Sequence, residues 1–184
     1  MIGETISVII DFIFLAIVLT MAFGAISAAP WVPARSSDIK RILKLAQIKK
    51  GEKVYDLGCG DAKVICAFAK EDANAVGFEI SLFQYLQSQL RIFLLKTRLL
   101  RFARNDGKLD VKVKYRNFWN ENLGNADVVY IFLMPRIYPK LKEKFKRELK
   151  QGAKIIVYAF KIDGWTPIAK DEAPGKQPIY LYEV

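Results

Sequence analysis

The sequence predicts an α/β domain, a mostly parallel sheet with helices on both faces, behind an N-terminal transmembrane helix. Three observations predict it. Short strand-like stretches at 54–57, 75–78, 111–115, 128–133 and 155–160 alternate with amphipathic segments, the pattern of strands joined by crossover helices. The run at 128–133 is apolar throughout, as a strand buried on both sheet faces must be. Residues 1–30 carry only Glu4 and Asp11 as charges, while all 29 Lys and Arg of the 184-residue chain lie from Arg35 onward.

Residues 1–30 form the anchor in this reading, and 31–184 the globular domain. The stretch 12–29 contains no charge, and residues 6–10 lengthen it across Asp11. About 20 residues at 1.5 Å rise cross the hydrocarbon of a bilayer. Thr20 and Ser27 can bond back to helix carbonyls, and Gly24 with the alanines offers a small-residue face. Pro30 and Pro33 end the helix, and Trp31 stands where an interfacial aromatic would. A cleaved signal peptide would carry a basic n-region, where this chain has acids. The bases that follow the segment place the domain on the cytoplasmic side of a single-pass membrane protein.

Ser36 or Ser37 is expected to cap the next helix, whose apolar face is Ile39, Ile42, Leu43 and Ala46. Further helices are expected at 61–70, 82–102 and 140–150. The last carries Leu141, Phe145 and Leu149 on one stripe, with its bases solvated. A closing strand is expected at 178–184. The helix at 82–102 interleaves Arg91, Lys96, Arg98, Arg101 and Arg104 with Leu94, Leu95, Leu99, Leu100 and Phe102. It suits either an anionic membrane surface or a core helix with a basic rim.

Composition narrows the chemistry. At 52% hydrophobic and 12% aromatic the chain can bury a core. Without histidine it has no Ser-His-Asp triad, no imidazole base and no His zinc ligand. Two cysteines, Cys59 and Cys66, make neither a Cys₄ site nor a disulfide framework, and they read as small apolar fillers in a reducing compartment. No metal site is expected. The net charge of +10 admits a nucleic-acid partner.

The chemical centre is Val54-Tyr55-Asp56-Leu57-Gly58-Cys59-Gly60-Asp61-Ala62, a Gly-x-Gly loop between a strand and a helix. Glycine lets the backbone approach a ligand, and the helix N-terminus offers free N–H groups. The next strand ends in Glu79, where an acid can take two ribose hydroxyls. Asp56 would repel a pyrophosphate and suits a cationic amino-acid end instead. The pair Asp56 and Glu79 therefore favours S-adenosyl-L-methionine over a dinucleotide.

The Asp-Leu-Gly-Cys-Gly-Asp and Gly-Phe-Glu segments resemble the first two cofactor motifs of class I S-adenosylmethionine-dependent methyltransferases, whose sheet is Rossmann-like. The resemblance implies that Asp56, Gly58, Cys59, Gly60, Asp61 and Glu79 bind the cofactor, with Asn117 and Phe118 near adenine. Ala62 stands where many members have a third glycine. The order of Trp31-Val32-Pro33, the glycine loop, Asn117-Phe118-Trp119, Phe132-Leu133-Met134-Pro135 and Gly164-Trp165-Thr166-Pro167 is similar to a narrower family. Those are the membrane-associated lysine methyltransferases that modify the adenine nucleotide translocase or the c-ring protein of ATP synthase. This implies a membrane-protein lysine as substrate and the lipid bilayer as partner. Met134, Pro135 and Trp165 would line the acceptor site, with Phe160 as a further wall. No general base is assigned, since Glu121 reads as a solvated helix-start residue. RNA and small-molecule methyltransferases remain the alternatives. The absence of an Asp/Asn-Pro-Pro-aromatic run after the fourth strand argues against nucleobase amines. A non-catalytic scaffold on the same fold is the third reading.

Overall fold

The computed structural model describes residues 2–27, 32–101 and 109–184. Trp31 and Pro30 of the anchor reading, and Phe102 and Arg104 of the basic helix, lie outside the described residues. Helix α1 covers Ile2–Ser27, and its side chains from 3 to 22 are almost all exposed. Thr20 makes the expected back-bond, donating to the Ile17 carbonyl at 2.9 Å.

Helix α2 (Ser36–Ala46) starts differently from expectation. Arg35, in extended conformation, stands at its N-cap, and no serine caps it. The Ser37 hydroxyl donates to Asp38 Oδ1 at 3.4 Å and is not free to accept a first-turn amide. Ile42 and Ala46 are fully buried as the apolar spacing requires. Asp38 is buried with them, bonded by the Tyr158 hydroxyl at 2.7 Å and by Arg41 at 3.2 Å. Burial alone would raise its pKa, but those two bonds and the Arg41 charge outweigh it and hold it below the ordinary value.

The remaining elements alternate as expected. They are β1 (Lys53–Leu57), α3 (Lys63–Lys70), β2 (Asn74–Glu79), α4 (Leu82–Arg101), β3 (Val111–Tyr115), β4 (Val128–Ile131), α5 (Tyr138–Glu148), β5 (Lys154–Tyr158), β6 (Ala169–Asp171) and β7 (Ile179–Glu183). Short 3₁₀ turns lie at Phe118–Asn120 and Pro135–Ile137. The strands form one sheet in the order β3-β2-β1-β4-β5-β7-β6. The pairs from β3 through β5 are parallel, and β7 runs antiparallel to both its neighbours. Strand order reverses between β1 and β4, so a crevice opens beyond their C-terminal ends.

Two cores flank the sheet. Helices α2, α3 and α4 cover one face, where Val54, Ile65, Phe68, Val128 and Ile156 are buried. Helix α5 and irregular segments cover the other, burying Leu57, Phe78, Ile131, Leu141, Phe145 and Tyr182. Segment 159–168, between β5 and β6, has no helix and crosses this second face, where Ile162 is buried. The bases of α5 are not all solvated. Lys144 is 4% exposed and donates to the carbonyls of Trp119 at 3.2 Å and Glu121 at 2.8 Å, with Glu148 beside it. The 3₁₀ turn at Phe118–Asn120 presents those carbonyls, and a buried ammonium satisfies them.

Candidate active site

The loop after β1 is bent by three left-handed residues. Gly58 has φ +90°, Gly60 φ +53° and Ala62 φ +61°. Glycine adopts such angles freely, while alanine at the third is held there at a cost of about 1–2 kcal/mol. The amides of Gly58 and Cys59 both donate to the Phe78 carbonyl at 3.0 Å, stitching the bend to the end of β2. Gly77 must be glycine for a different reason. A Cβ there would lie 2.5 Å from Cys59 Sγ and 3.0 Å from Ile65 Cδ1.

Glu79 closes the arrangement. Its Oε2 accepts the Gly60 amide at 2.9 Å, and its Oε1 accepts those of Ile80 at 2.9 Å and Ser81 at 2.8 Å. Burial pushes its pKa up, and the three backbone bonds oppose that. Asp56 is 2% exposed, and its pKa is raised well above the ordinary value, first by burial and then by the like charges of Glu79 and Asp61. Asp61 is held by Arg91, with Nη2 at 2.6 Å from its Oδ2, and its Oδ1 accepts the Lys63 amide at 3.2 Å. Burial raises the Cys59 thiol well above its usual range, which leaves it a protonated filler and not a nucleophile.

These residues line a cavity of about 510 Å³, within the range of small-molecule sites. Its walls include Asp56, Gly58, Cys59, Gly60, Asp61, Glu79 and Phe118, so seven of the sequence-derived cofactor residues converge on one space. Lys63, Gln84, Tyr130, Phe132 and Leu133 also line it; Phe132 and Leu133 entered the sequence reading of the site only as part of a family-like segment, and the other three not at all. For Tyr130 the signal was available, because strand alternation puts it on the same sheet side as its β1 partner Asp56. Val64, Phe78, Ile80, Ser81 and Arg116 add to the lining, and a further part of the wall comes from the N-terminus: Val18, Met21 and Ala22 of α1, then Val32, Pro33 and Ala34.

Five expected site residues are not in this cavity wall. The Asn117 side chain accepts the Trp119 amide at 3.1 Å, and the residue borders a neighbouring cleft with Leu19, Thr20 and Ile80. Met134 and Pro135 follow the lining residue Leu133 but are absent from the cavity wall among the described residues. Pro135 opens a 3₁₀ turn that leads the chain outward, and Met134 is 37% exposed. Trp165 stands on the second sheet face, its ring edge-on to Tyr182 at 6.0 Å, because segment 159–168 folds over that face. Phe160 is 37% exposed and does not line the cavity either. Glu121 is half-buried, pairs with the exposed Lys114 at 3.1 Å, and is not among the residues lining the cavity.

The residues present suit S-adenosylmethionine. Three carboxylates, Asp56, Asp61 and Glu79, two cations, Lys63 and Arg116, and a glycine bend share the cavity wall with apolar side chains such as Val18, Met21, Phe118 and Leu133. This strand order with a glycine bend at the switch point is that of the class I S-adenosylmethionine-dependent methyltransferases, and family and sequence likeness place the chain among them. The ANTKMT methyltransferase domain matches residues 56–169, and the chain belongs to that family. It is 30% identical over 160 residues to a protein-lysine N-methyltransferase of Saccharolobus islandicus strain REY15A, covering 84% of this chain and 93% of that one. It is also 26% identical over 156 residues to the adenine nucleotide translocase lysine N-methyltransferase of Mus musculus, covering 84% of this chain but only 63% of the mouse protein. Among solved structures, an RNA methyltransferase from Salinibacter ruber with bound S-adenosyl-L-homocysteine superposes with a TM-score of 0.71. It covers 83% of this chain and 93% of its own at 22% identity, a likeness of fold.

Proposed function

We propose that this methyltransferase acts on the side-chain amine of a protein lysine at a membrane surface. The observation that carries the reading is that one cavity is walled jointly by the glycine loop and by the apolar end of α1. Bound S-adenosylmethionine supplies a methyl group on a sulfonium, a good leaving group. Asp56 takes the cofactor's ammonium, Glu79 its ribose hydroxyls, and Gly58, Cys59, Gly60 and Asp61 follow its length, with Phe118 toward adenine. The chain's own contribution is then alignment and dryness. Val18, Met21, Phe132 and Leu133 make an apolar approach, and desolvation favours the neutral, nucleophilic form of an entering lysine. Met134 and Pro135, next along the chain from Leu133, would guide it at the mouth.

The membrane part rests on two faces. Gly3–Ala22 is long and apolar enough to span a bilayer, with mean hydropathy 2.4. On α4, Phe83, Leu86, Leu90, Phe93 and Leu94 form an exposed stripe at helical spacing, with Lys96 and Arg98 exposed beyond them. Helix α4 begins beside the end of the span, where the Leu82 amide donates to Thr20 Oγ1 at 3.3 Å. The stripe thus continues the apolar surface of α1 and lies in the bilayer interface, with the basic groups toward anionic headgroups. The domain is then cytoplasmic on a single-pass anchor, by the distribution of Lys and Arg.

The test uses native membranes with the active protein and with a Glu79→Gln, Asp56→Asn variant. Labelled methyl groups from the cofactor should appear on protein lysines, as mass increments of one to three methyls, only with the active form. Label that disappears after ribonuclease treatment would overturn the reading in favour of an RNA acceptor, the alternative the net charge of +10 keeps open.

A further inference from the structure

Tyr130 sits on β4 directly opposite Asp56 of β1. Its neighbours Val129 and Ile131 face the second core, so Tyr130 faces the α3 side, its ring edge-on to Phe68 at 6.2 Å. It is 2% exposed, it lines the cavity, and its hydroxyl has no hydrogen-bond partner among the described residues. A buried phenol without a partner is costly, and phenylalanine would fill the same space without that cost. The hydroxyl is therefore available to a ligand in the cavity. A second unpartnered group in the lining, Gln84 Nε2, stands on α4 three residues from Ser81, on the Glu79 side.

What the Tyr130 hydroxyl can bond follows from its surroundings. Burial and the Asp56 charge keep the phenol protonated, so it both donates and accepts. Asp56 beside it calls for a cation, and Lys63, also in the lining, calls for an anion. The cofactor carries both on one carbon, the ammonium and carboxylate of its amino-acid end. We propose that the Tyr130 hydroxyl binds the amino-acid end of S-adenosylmethionine beside Asp56, and so helps the protein tell the full cofactor from truncated nucleosides. This rests on placing that end at Asp56, which Asp56→Asn tests separately.

The experiment is calorimetry on the full chain in detergent micelles, with two probes. S-adenosylhomocysteine has the amino-acid end, and 5′-methylthioadenosine lacks it. Tyr130→Phe should weaken S-adenosylhomocysteine about tenfold and leave 5′-methylthioadenosine unchanged. Glu79→Gln should weaken both. Equal loss for the two probes in Tyr130→Phe, or no loss for either, would overturn the proposal. Where Tyr130→Phe does not fold, a ring-carbon label at Tyr130 in the native protein replaces it. Its resonance should move on adding S-adenosylhomocysteine and stay with 5′-methylthioadenosine, and an equal shift with both would overturn the proposal too. If Asp56→Asn binds both probes like the native chain, the placement itself fails, whatever Tyr130 does.

Discussion

Glu79 Oε2 accepts the amide of Gly60 at 2.9 Å, joining the end of β2 to the bend after β1 across 19 residues of chain. The carboxylate that faces the cavity is thus also the clamp that shapes the loop. Glu79→Gln keeps one oxygen acceptor and must present an amide N–H to backbone donors. Removing the charge leaves buried amides underpaired, at about 1–3 kcal/mol. The melting temperature and the S-adenosylhomocysteine affinity should both fall. A variant that binds as tightly as the native chain would remove Glu79 from the site.

Gly77 and Cys59 pack so closely that a methyl on one displaces the other. Gly77→Ala should cost about 1–3 kcal/mol by overpacking and weaken cofactor binding by shifting the loop. Adding Cys59→Gly removes both Cys59 side-chain atoms that the new methyl meets, so the double variant should recover part of the loss. Chemical denaturation of the two variants reads the recovery. Simple additivity would contradict the contact.

Asp56 links binding to pH. Its pKa in the folded protein lies well above 3.8, by burial first and then by Glu79 and Asp61. As pH falls through that raised value the carboxylate takes a proton and loses its attraction for an ammonium. Affinity for S-adenosylhomocysteine should therefore weaken on acidification, and calorimetry across pH should show the fall. Asp56→Asn should bind more weakly at high pH and show a shallower fall.

The buried pair Asp38 and Tyr158, with the partly buried Arg41, ties α2 to the far half of the sheet, Arg41 continuing to Asp171 at 2.6 Å. Tyr158→Phe should cost about 1.5–3 kcal/mol of stability and leave cofactor affinity intact, since neither Tyr158 nor Asp38 lines the cavity. The Asp38 pKa is lower folded than unfolded, so its contribution is full above 3.8 and lost as pH falls through the folded value. Asp38→Asn should remove that acid-sensitive share, measured by melting against pH.

The exposed stripe on α4 predicts a lipid contact. Tryptophan placed by Leu90→Trp in the full chain, reconstituted in anionic nanodiscs, should be quenched by brominated lipid. Quenching by aqueous acrylamide alone would detach α4 from the bilayer.

Much of this was legible locally. The strand-like stretches that became β1 to β5, the stripe of Leu141, Phe145 and Leu149, and the pairing of Asp56 with Glu79 about the glycines follow from periodicity and spacing. Strand β6 did not, because three half-exposed residues carry no period and exist as a strand only through pairing with β7. Where Trp165 stands was not legible either, because its packing against Tyr182 joins segments distant in the chain.

The sequence by itself determined the class of fold, the bend and its two acids, since each depends on residues near one another in the chain. Only the tertiary structure decided that Val18 and Met21 wall the same cavity as Gly58, that Lys144 is buried against Trp119 and Glu121, and that Tyr130 stands unpartnered beside Asp56. Those are contacts between distant segments, set by strand register and helix docking, which no local spacing encodes.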